Sequence, residues 1–144
     1  MSNAETVIRV LGDVFADDET EVDEALIERM ITAIATIAAD DFVMRMYGPD
    51  DTFVGTHEGA AGVREGWADW LESFDRVRFR FESIEEIGEN VLTMATQIGT
   101  TRTGGVEIEQ PSAAVWKFHA GKLKETEFHL DRDKARRSAE GQLG

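Results

Sequence analysis

Cysteine is absent from the 144 residues of this chain, tyrosine occurs once and proline twice. Without cysteine there can be no disulfide framework, no thiol nucleophile and no cysteine-type zinc site. The longest nearly apolar run, residues 30–39, is about half as long as a membrane-spanning helix requires. The first residues lack a basic segment followed by an apolar run, so we expect no secretory signal and a soluble, cytoplasmic protein.

Basic residues are scarce as well. Fifteen lysines and arginines stand against 29 aspartates and glutamates, which gives a net charge of −14. A surface so acidic repels phosphate backbones and anionic lipid, and this disfavours nucleic-acid and membrane partners. The hydrophobic content of 42% is typical of globular proteins. The length suits one domain over residues 1–144.

The hydrophobic pattern changes once along the chain, from a helical period to a strand period. Three N-terminal segments have apolar residues at spacings of three and four, which predicts helices near 7–15, 26–37 and 60–74. Thr20, followed by Asp23, resembles a capping box at the start of the second helix. Asp131 is in turn the predicted N-cap of a short C-terminal helix.

The strand-like segments come mostly after the third helix. Alternating apolar residues and short turns predict an antiparallel meander of four strands: 76–84, 91–102, 106–119 and 123–131. Two shorter strands are predicted at 42–47 and 52–54. Pro111 lies inside one long strand and marks an edge, a bulge or a bend. Helices first and a sheet afterwards define an α+β fold.

Two stretches of this layout resemble a known family: FVGTHEG at 53–59, ahead of the third helix, and VWKF running into GKL at 115–123, followed by Asp131. In this order the chain resembles the SnoaL-like family of the nuclear transport factor 2-like superfamily. The resemblance covers nearly the whole chain. It implies a cone, in which a strongly curved, mostly antiparallel sheet wraps around three helices and leaves a pocket at its open end. The superfamily includes isomerases, hydrolases, dehydratases, polyketide cyclases and binding modules without chemistry, so the fold alone does not define the function.

The segment GTHEGAAGVREGW at 55–67 contains the residues most suggestive of chemistry. Its glycine spacing matches neither a phosphate-binding loop nor a dinucleotide fingerprint, so Gly55 and Gly59 are interpreted as the residues of a tight turn into the third helix. His57 and Asp50 are the candidate catalytic bases, with a capping or solvated histidine and a turn aspartate as the alternatives. One histidine without a second at helical spacing disfavours a metal site, and no cofactor is predicted. His57→Ala is expected to leave the fold nearly intact.

The resemblance also tests known chemistries position by position. The Arg-Asp-Asp set of limonene epoxide hydrolase falls on Ala95, Gln97 and Phe128, which disfavours epoxide hydrolysis. The base of ketosteroid isomerase falls near Asp50, whereas one of its oxyanion donors falls on Ala114 and the first helix lacks a tyrosine. One of three isomerase groups therefore remains.

The side chains that the resemblance places inside the cone are neutral. This predicted pocket wall combines small, aromatic, hydroxyl and amide side chains: Tyr47, Trp67, Ala95, Gln97, Gln110, Ser112, Ala114, Trp116, Thr126 and Phe128. We therefore expect a binder of a small apolar or weakly polar molecule. The alternatives are an isomerase, cyclase or dehydratase using Asp50 or His57 as base, and a non-catalytic dimeric module. The aromatic residues could also be plain core.

The register of the strand at 91–102 is open from its pattern alone. Apolar content would turn Leu92, Met94 and Ile98 inward, whereas the resemblance turns them outward, and a shift of one residue reverses the whole strand. On the outer face these three residues would form an exposed apolar row that monomers seldom tolerate. We therefore expect a homodimer through the outer face of the sheet, detectable by light scattering.

Overall fold

A computed structural model describes residues 2–17, 20–48 and 52–141 of the chain. The helices in these residues are α1 (Asn3–Val14), α2 (Glu24–Ala35), α3 (Gly59–Leu71) and α4 (Arg132–Ala139). The strands are β1 (Ala38–Tyr47), β2 (Phe53–Glu58), β3 (Phe74–Ile87), β4 (Asn90–Thr101), β5 (Glu107–His119) and β6 (Lys122–His129). The α+β class is confirmed. None of the helices in the described ranges is long and apolar enough to cross a membrane.

Side-chain caps define where three of the helices begin. Ser2 and Glu5 form a reciprocal capping box at α1, with the Ser2 Oγ accepting from the Glu5 N–H at 3.0 Å. The cap of α2 is Asp23, whose carboxylate accepts from the backbone N–H three residues later. The predicted box starting at Thr20 is wrong, because the Thr20 hydroxyl bonds back to the preceding loop instead. Asp131 caps α4 as predicted.

The six strands form one curved sheet in the order β2-β1-β6-β5-β4-β3. Strands β3 to β6 are the predicted antiparallel meander, and β1 joins the sheet by pairing in parallel with β6. Pro111 pairs with Thr96 of β4 and lies beyond the last residue of β5 that pairs with β6. It therefore occupies a local sheet edge, where a missing N–H is tolerated.

The sheet has a packed layer on each face. Helices α1, α2 and α3 cover one face and share a hydrophobic core with Met44, Phe79, Ala95, Trp116 and Phe128. A smaller cluster on the opposite face packs β4 and β5 against α4. We call the first the inner face and the second the outer face.

Helix α4 covers Leu92 and Met94 of the apolar row that motivated the predicted dimer. Leu92 is fully buried and packs in one cluster with Ala135 and Ala139 of α4, with Met94 half-buried against it. Ile98 is 3% exposed. The row does face outward, as the resemblance implied, but it is not an exposed patch. The predicted exposure of this row is therefore wrong, and the homodimer itself stays a prediction. A monomer in solution would no longer indicate a reversed register.

Gly59 begins α3 with a backbone φ of +72°, as the predicted tight turn requires. A side chain there would meet no atom within 4 Å, so only the backbone conformation opposes substitution. We expect Gly59→Val to lower the free energy of unfolding by about 1–3 kcal/mol, because a β-branched residue strongly disfavours positive φ. Gly59→Asn should lower the free energy of unfolding much less, since asparagine tolerates a positive φ. Thermal melts compare the two variants, and equal melting temperatures for Gly59→Val and wild type would contradict this account.

Candidate functional site

A cavity of about 90 Å³ lies between the helices and the inner face of the sheet. Its wall combines one side of α1 and α2 with Trp67 of α3 and residues of the strands, most of them on the inner face. The lining residues are Val10, Leu11, Val14, Phe15, Met30, Ile34, Met44, Trp67, Phe79, Phe81, Thr93, Ala95, Ser112, Ala113, Ala114, Trp116, Thr126, Glu127 and Phe128. Seven of the ten predicted pocket residues are among them.

Aromatic rings packed edge to face build one part of this wall. The ring centroids of Trp67 and Phe128 are 5.5 Å apart at an interplanar angle of 65°, and those of Phe79 and Phe128 are 5.8 Å apart at 78°. Phe15, directly after α1, contacts Phe81 of β3 with ring centroids 5.0 Å apart. Such contacts stabilise a fixed arrangement beyond the burial of area alone. The aromatic residues are therefore core and cavity wall at once.

The wall residues contributed by α1, α2 and β3 were not predicted as pocket residues. Periodicity shows which face of an element is buried but not whether a void remains beside it. Met30, Phe79 and Phe81 are examples.

Two polar groups of the wall are already hydrogen-bonded within the protein. The Thr93 hydroxyl accepts from the Trp116 indole N–H at 3.2 Å and donates to the carbonyl of Ala114 at 3.4 Å. The Ser112 hydroxyl donates to the carbonyl of Ala95 at 3.1 Å. These bonds connect β4 with β5, so both hydroxyls contribute to the shape of the wall.

Gln97 and Gln110, both predicted wall residues, do not line the cavity. Gln97 is completely buried, and its side-chain oxygen accepts from the Trp70 indole N–H at 2.7 Å. Its side-chain nitrogen donates to the Gln110 oxygen at 3.1 Å. The two amides are on the predicted strand face, but they link β4 and β5 to α3 instead of facing the void.

Tyr47 does not line the cavity either. Met46, the residue before it, is in the inner core, so the alternation of a strand turns Tyr47 to the other face. There its ring stacks on that of His129, with centroids 4.5 Å apart and an interplanar angle of 3°.

His57 lies in β2, not in a loop, and is 8% exposed. Its Nδ1 is 3.1 Å from Glu65 Oε1. It does not line the cavity, since its cross-strand partner Met44 forms the wall on that side. Because His57→Ala would remove a buried, packed ring, we no longer expect it to leave the fold nearly intact.

Three glycines make room for the His57 residue. A Cβ on Gly55 would lie 3.2 Å from Nε2, and a Cβ on Gly66 would lie 2.9 Å from Cδ2. A Cβ on Gly62 would lie 2.9 Å from the carbonyl carbon of His57. The segment GTHEGAAGVREGW is therefore a close packing of a strand against a helix, and the proposed turn role holds for Gly59 but not for Gly55.

The other candidate base, Asp50, lies outside the described residues. Within the ranges that the structure does describe, no group of three or more histidine, aspartate or glutamate side chains is placed to hold a metal ion. The expectations of no metal and no cofactor stay predictions.

A buried charged cluster lies on the outer face, beneath α4. Glu127 is at its centre: its Oε1 accepts from Ser138 Oγ at 2.7 Å and is 2.8 Å from His129 Nε2, and its Oε2 is 2.8 Å from Lys117 Nζ. Glu125, two residues earlier, pairs through Oε1 with Arg45 at 2.6 Å. The carboxylate of Glu127 thus points away from the cavity, although its residue contributes to the wall.

The two glutamates of this cluster have opposite electrostatic environments. Burial, together with the neighbouring Glu127, raises the pKa of Glu125 to about 7. Burial also acts to raise the pKa of Glu127, but hydrogen bonds from His129, Lys117 and Ser138 outweigh it and hold that pKa far below its usual value. Glu127 is therefore the stable anion of the pair.

A curved sheet wrapped around three helices, with an apolar cavity between them, defines a cone-fold protein of the nuclear transport factor 2-like class. The family model described as the SnoaL-like domain matches residues 20–126. The chain belongs to this SnoaL-like family. A search of curated proteins found no match.

Several solved structures share the fold. A candidate SnoaL-like polyketide cyclase from Jannaschia Sp. CCS1 has a TM-score of 0.64 at 16% identity, over 96% of this chain and 91% of that chain. TerC co-crystallised with polyporic acid has a TM-score of 0.62 at 20% identity, over 94% and 98%. An NTF2-like protein of unknown function from Burkholderia pseudomallei K96243 has a TM-score of 0.61 at 21% identity, over 95% and 97%. At these identities the likeness shows the fold alone.

Proposed function

We propose that this protein binds a small, neutral, largely apolar molecule in the cavity between the helices and the inner face of the sheet. The chemistry of the wall carries the proposal. The side chains that face the cavity are aliphatic, aromatic or hydroxyl-bearing, and the one acidic residue in the wall directs its carboxylate to the outer face. Burial of apolar surface is then the main source of affinity. TerC, which shares this fold, has been co-crystallised with a small molecule, polyporic acid, and this is consistent with the proposal.

The volume of the cavity limits the size of the ligand. About 90 Å³ is less than the roughly 150 Å³ of an engineered protein cavity that admits benzene. A ligand with one ring therefore requires a modest rearrangement of the wall. Met30 and Met44 are the wall residues best able to provide it, since an unbranched thioether side chain adopts several shapes at little cost.

The same wall favours binding over base-catalysed chemistry. A general base must lie within about 2.6–3.2 Å of the proton that it removes, or one water further away. In the described part of the chain, no titratable side chain is directed into the cavity, and His57 lies behind Met44. The isomerase alternative therefore depends on Asp50.

Small aromatic probes test the proposal. Benzene, toluene and indole should each raise the melting temperature, because a ligand at ten times its Kd adds about 1.4 kcal/mol to the free energy of unfolding. In a domain of this size that corresponds to a shift of roughly 2–8 °C. Ala114→Leu should fill the cavity and abolish the shift.

Ala61→Leu is the matched control, since Ala61 is exposed on α3 and away from the cavity, and it should keep the shift of wild type. The proposal fails if none of the three probes shifts the wild-type melt at millimolar concentration. It also fails if Ala114→Leu responds as strongly as Ala61→Leu.

A further inference from the structure

We infer that the ligand of this cavity carries one neutral polar group, a hydroxyl or a carbonyl, that hydrogen-bonds to the side chain of Thr126; this inference rests on the proposed function. Thr126 lies in β6, lines the cavity and is 8% exposed. Its hydroxyl is the polar group of the wall that the protein leaves available.

The availability of Thr126 is clear by comparison with the other wall hydroxyls. Thr93 bonds to Trp116 and Ala114, and Ser112 bonds to the carbonyl of Ala95. Within residues 2–17, 20–48 and 52–141, the Thr126 hydroxyl makes no hydrogen bond. Thr126 is 8% exposed and lines the cavity, so its hydroxyl is accessible to a hydrogen-bonding partner placed there.

The sheet around Thr126 explains why the protein supplies no partner. In the strand register Thr126 lies between Met44 of β1 and Trp116 of β5. A thioether sulfur is only a weak acceptor, and the indole N–H of Trp116 is directed to Thr93. Neither neighbour satisfies the hydroxyl, so its one donor and its acceptor lone pairs are left for a molecule in the cavity that Thr126 lines.

The chemistry of this single group restricts the ligand. A hydroxyl both donates and accepts, so it can bind a carbonyl, an alcohol or a phenol. An ionised ligand is disfavoured, because the aliphatic and aromatic wall offers no counter-charge and burial of an unpaired charge is costly. The favoured ligand is thus one small ring with one neutral oxygen substituent.

Phenol and toluene are a matched pair for the test, since they have similar size and differ in the hydroxyl. Kd values for both are measured by calorimetry on wild type, Thr126→Val and Thr126→Ser. Valine keeps the branched shape of threonine and removes the hydroxyl, and serine keeps the hydroxyl. We expect the ratio of the phenol Kd to the toluene Kd to rise about tenfold in Thr126→Val, the loss of one hydrogen bond, and to return towards wild type in Thr126→Ser.

Toluene is the internal control for the fold and the cavity. If toluene binds wild type and Thr126→Val alike and the phenol ratio does not change, the role of Thr126 is overturned while the apolar binding site stands. If neither probe binds wild type, both proposals are overturned. A ratio that changes equally in Thr126→Val and Thr126→Ser would also overturn the inference, because the effect would then not follow the hydroxyl.

Discussion

Gly62→Ala should lower the free energy of unfolding by about 2–3 kcal/mol, although alanine is the better helix former. Gly62 lies in α3 against β2, where a Cβ would stand 2.9 Å from the carbonyl carbon of His57 and 3.1 Å from its Cβ. These atoms belong to a strand backbone and its first side-chain carbon, so no rotamer change relieves the contact. The strand or the helix has to move, and the core between them loses its packing.

Gly12→Ala is the matched control for this prediction. Gly12 is also inside a helix, α1, and a Cβ there would meet nothing within 4 Å. The same substitution should therefore raise the free energy of unfolding by about 0.5–1 kcal/mol, through helix propensity alone. Urea denaturation measures both. If Gly62→Ala were as stable as Gly12→Ala, the close approach of α3 and β2 would be refuted.

The sequence contained a signal for this close approach. Gly62 and Gly66 are four residues apart and so lie on one face of α3. Two glycines on one helix face indicate that a neighbouring backbone comes near, but only Gly55 and Gly59 were predicted to have a role, as the residues of a tight turn. The strand that fills the space, β2, is short and gives a weak pattern of its own.

Much of the cavity wall was located by the resemblance and not by the strand pattern. Apolar content alone would have turned Leu92 inward and Ala95 outward, whereas the resemblance assigned Ala95 and Thr126 to the inner face, where the structure places both. Whether Gln97 faces the void depends on Trp70 of α3, which reaches it across the core. No local pattern in either segment contains that hydrogen bond.

The packing of α4 on the outer face could not be predicted from the sequence for a different reason. Helix α4 has the sequence RDKARRSA, which is too polar to indicate a buried helix. Its contact surface consists of small residues, Ala135, Ser138 and Ala139, all buried against the sheet. Small side chains let a helix approach a sheet closely without an apolar stripe. The apolar row on β4 was therefore interpreted as exposed and assigned to a second subunit.

Substitution of the two glutamates in the charged cluster beneath α4, Glu125 and Glu127, should have opposite effects on the free energy of unfolding. Glu127→Gln should lower the free energy of unfolding by about 3 kcal/mol at pH 7, because it weakens three contacts of a buried anion and leaves Lys117 near a neutral group. At pH 7, Glu125→Gln should leave the free energy of unfolding unchanged or raise it, because burial and the neighbouring Glu127 both disfavour the charged form of Glu125.

The pH dependence separates the two glutamates. The pKa of Glu125 is about 7 in the folded protein and near 4.5 in the unfolded chain. Between these values the folded state holds the extra proton, so its stability falls as the pH rises through that window. Glu125→Gln has no such proton to lose. It should match wild type near pH 5 and be more stable near pH 8, by about 1 kcal/mol once its partial exposure is allowed for.

Glu127 acts in the opposite direction, because its pKa is lowered by folding. The stabilisation that the Glu127 carboxylate provides is fully present above the pKa of this residue in the unfolded chain, near 4.5. It is lost progressively as the pH falls below that value. The difference in free energy of unfolding between wild type and Glu127→Gln should therefore become smaller as the pH falls. The difference between wild type and Glu125→Gln should become larger as the pH rises. Urea melts at pH 4, 5, 7 and 8 measure both differences. A Glu125→Gln variant that loses stability equally at pH 5 and pH 8 would show that Glu125 serves as a permanent ion-pair partner of Arg45, and the buried, proton-holding carboxyl would be refuted.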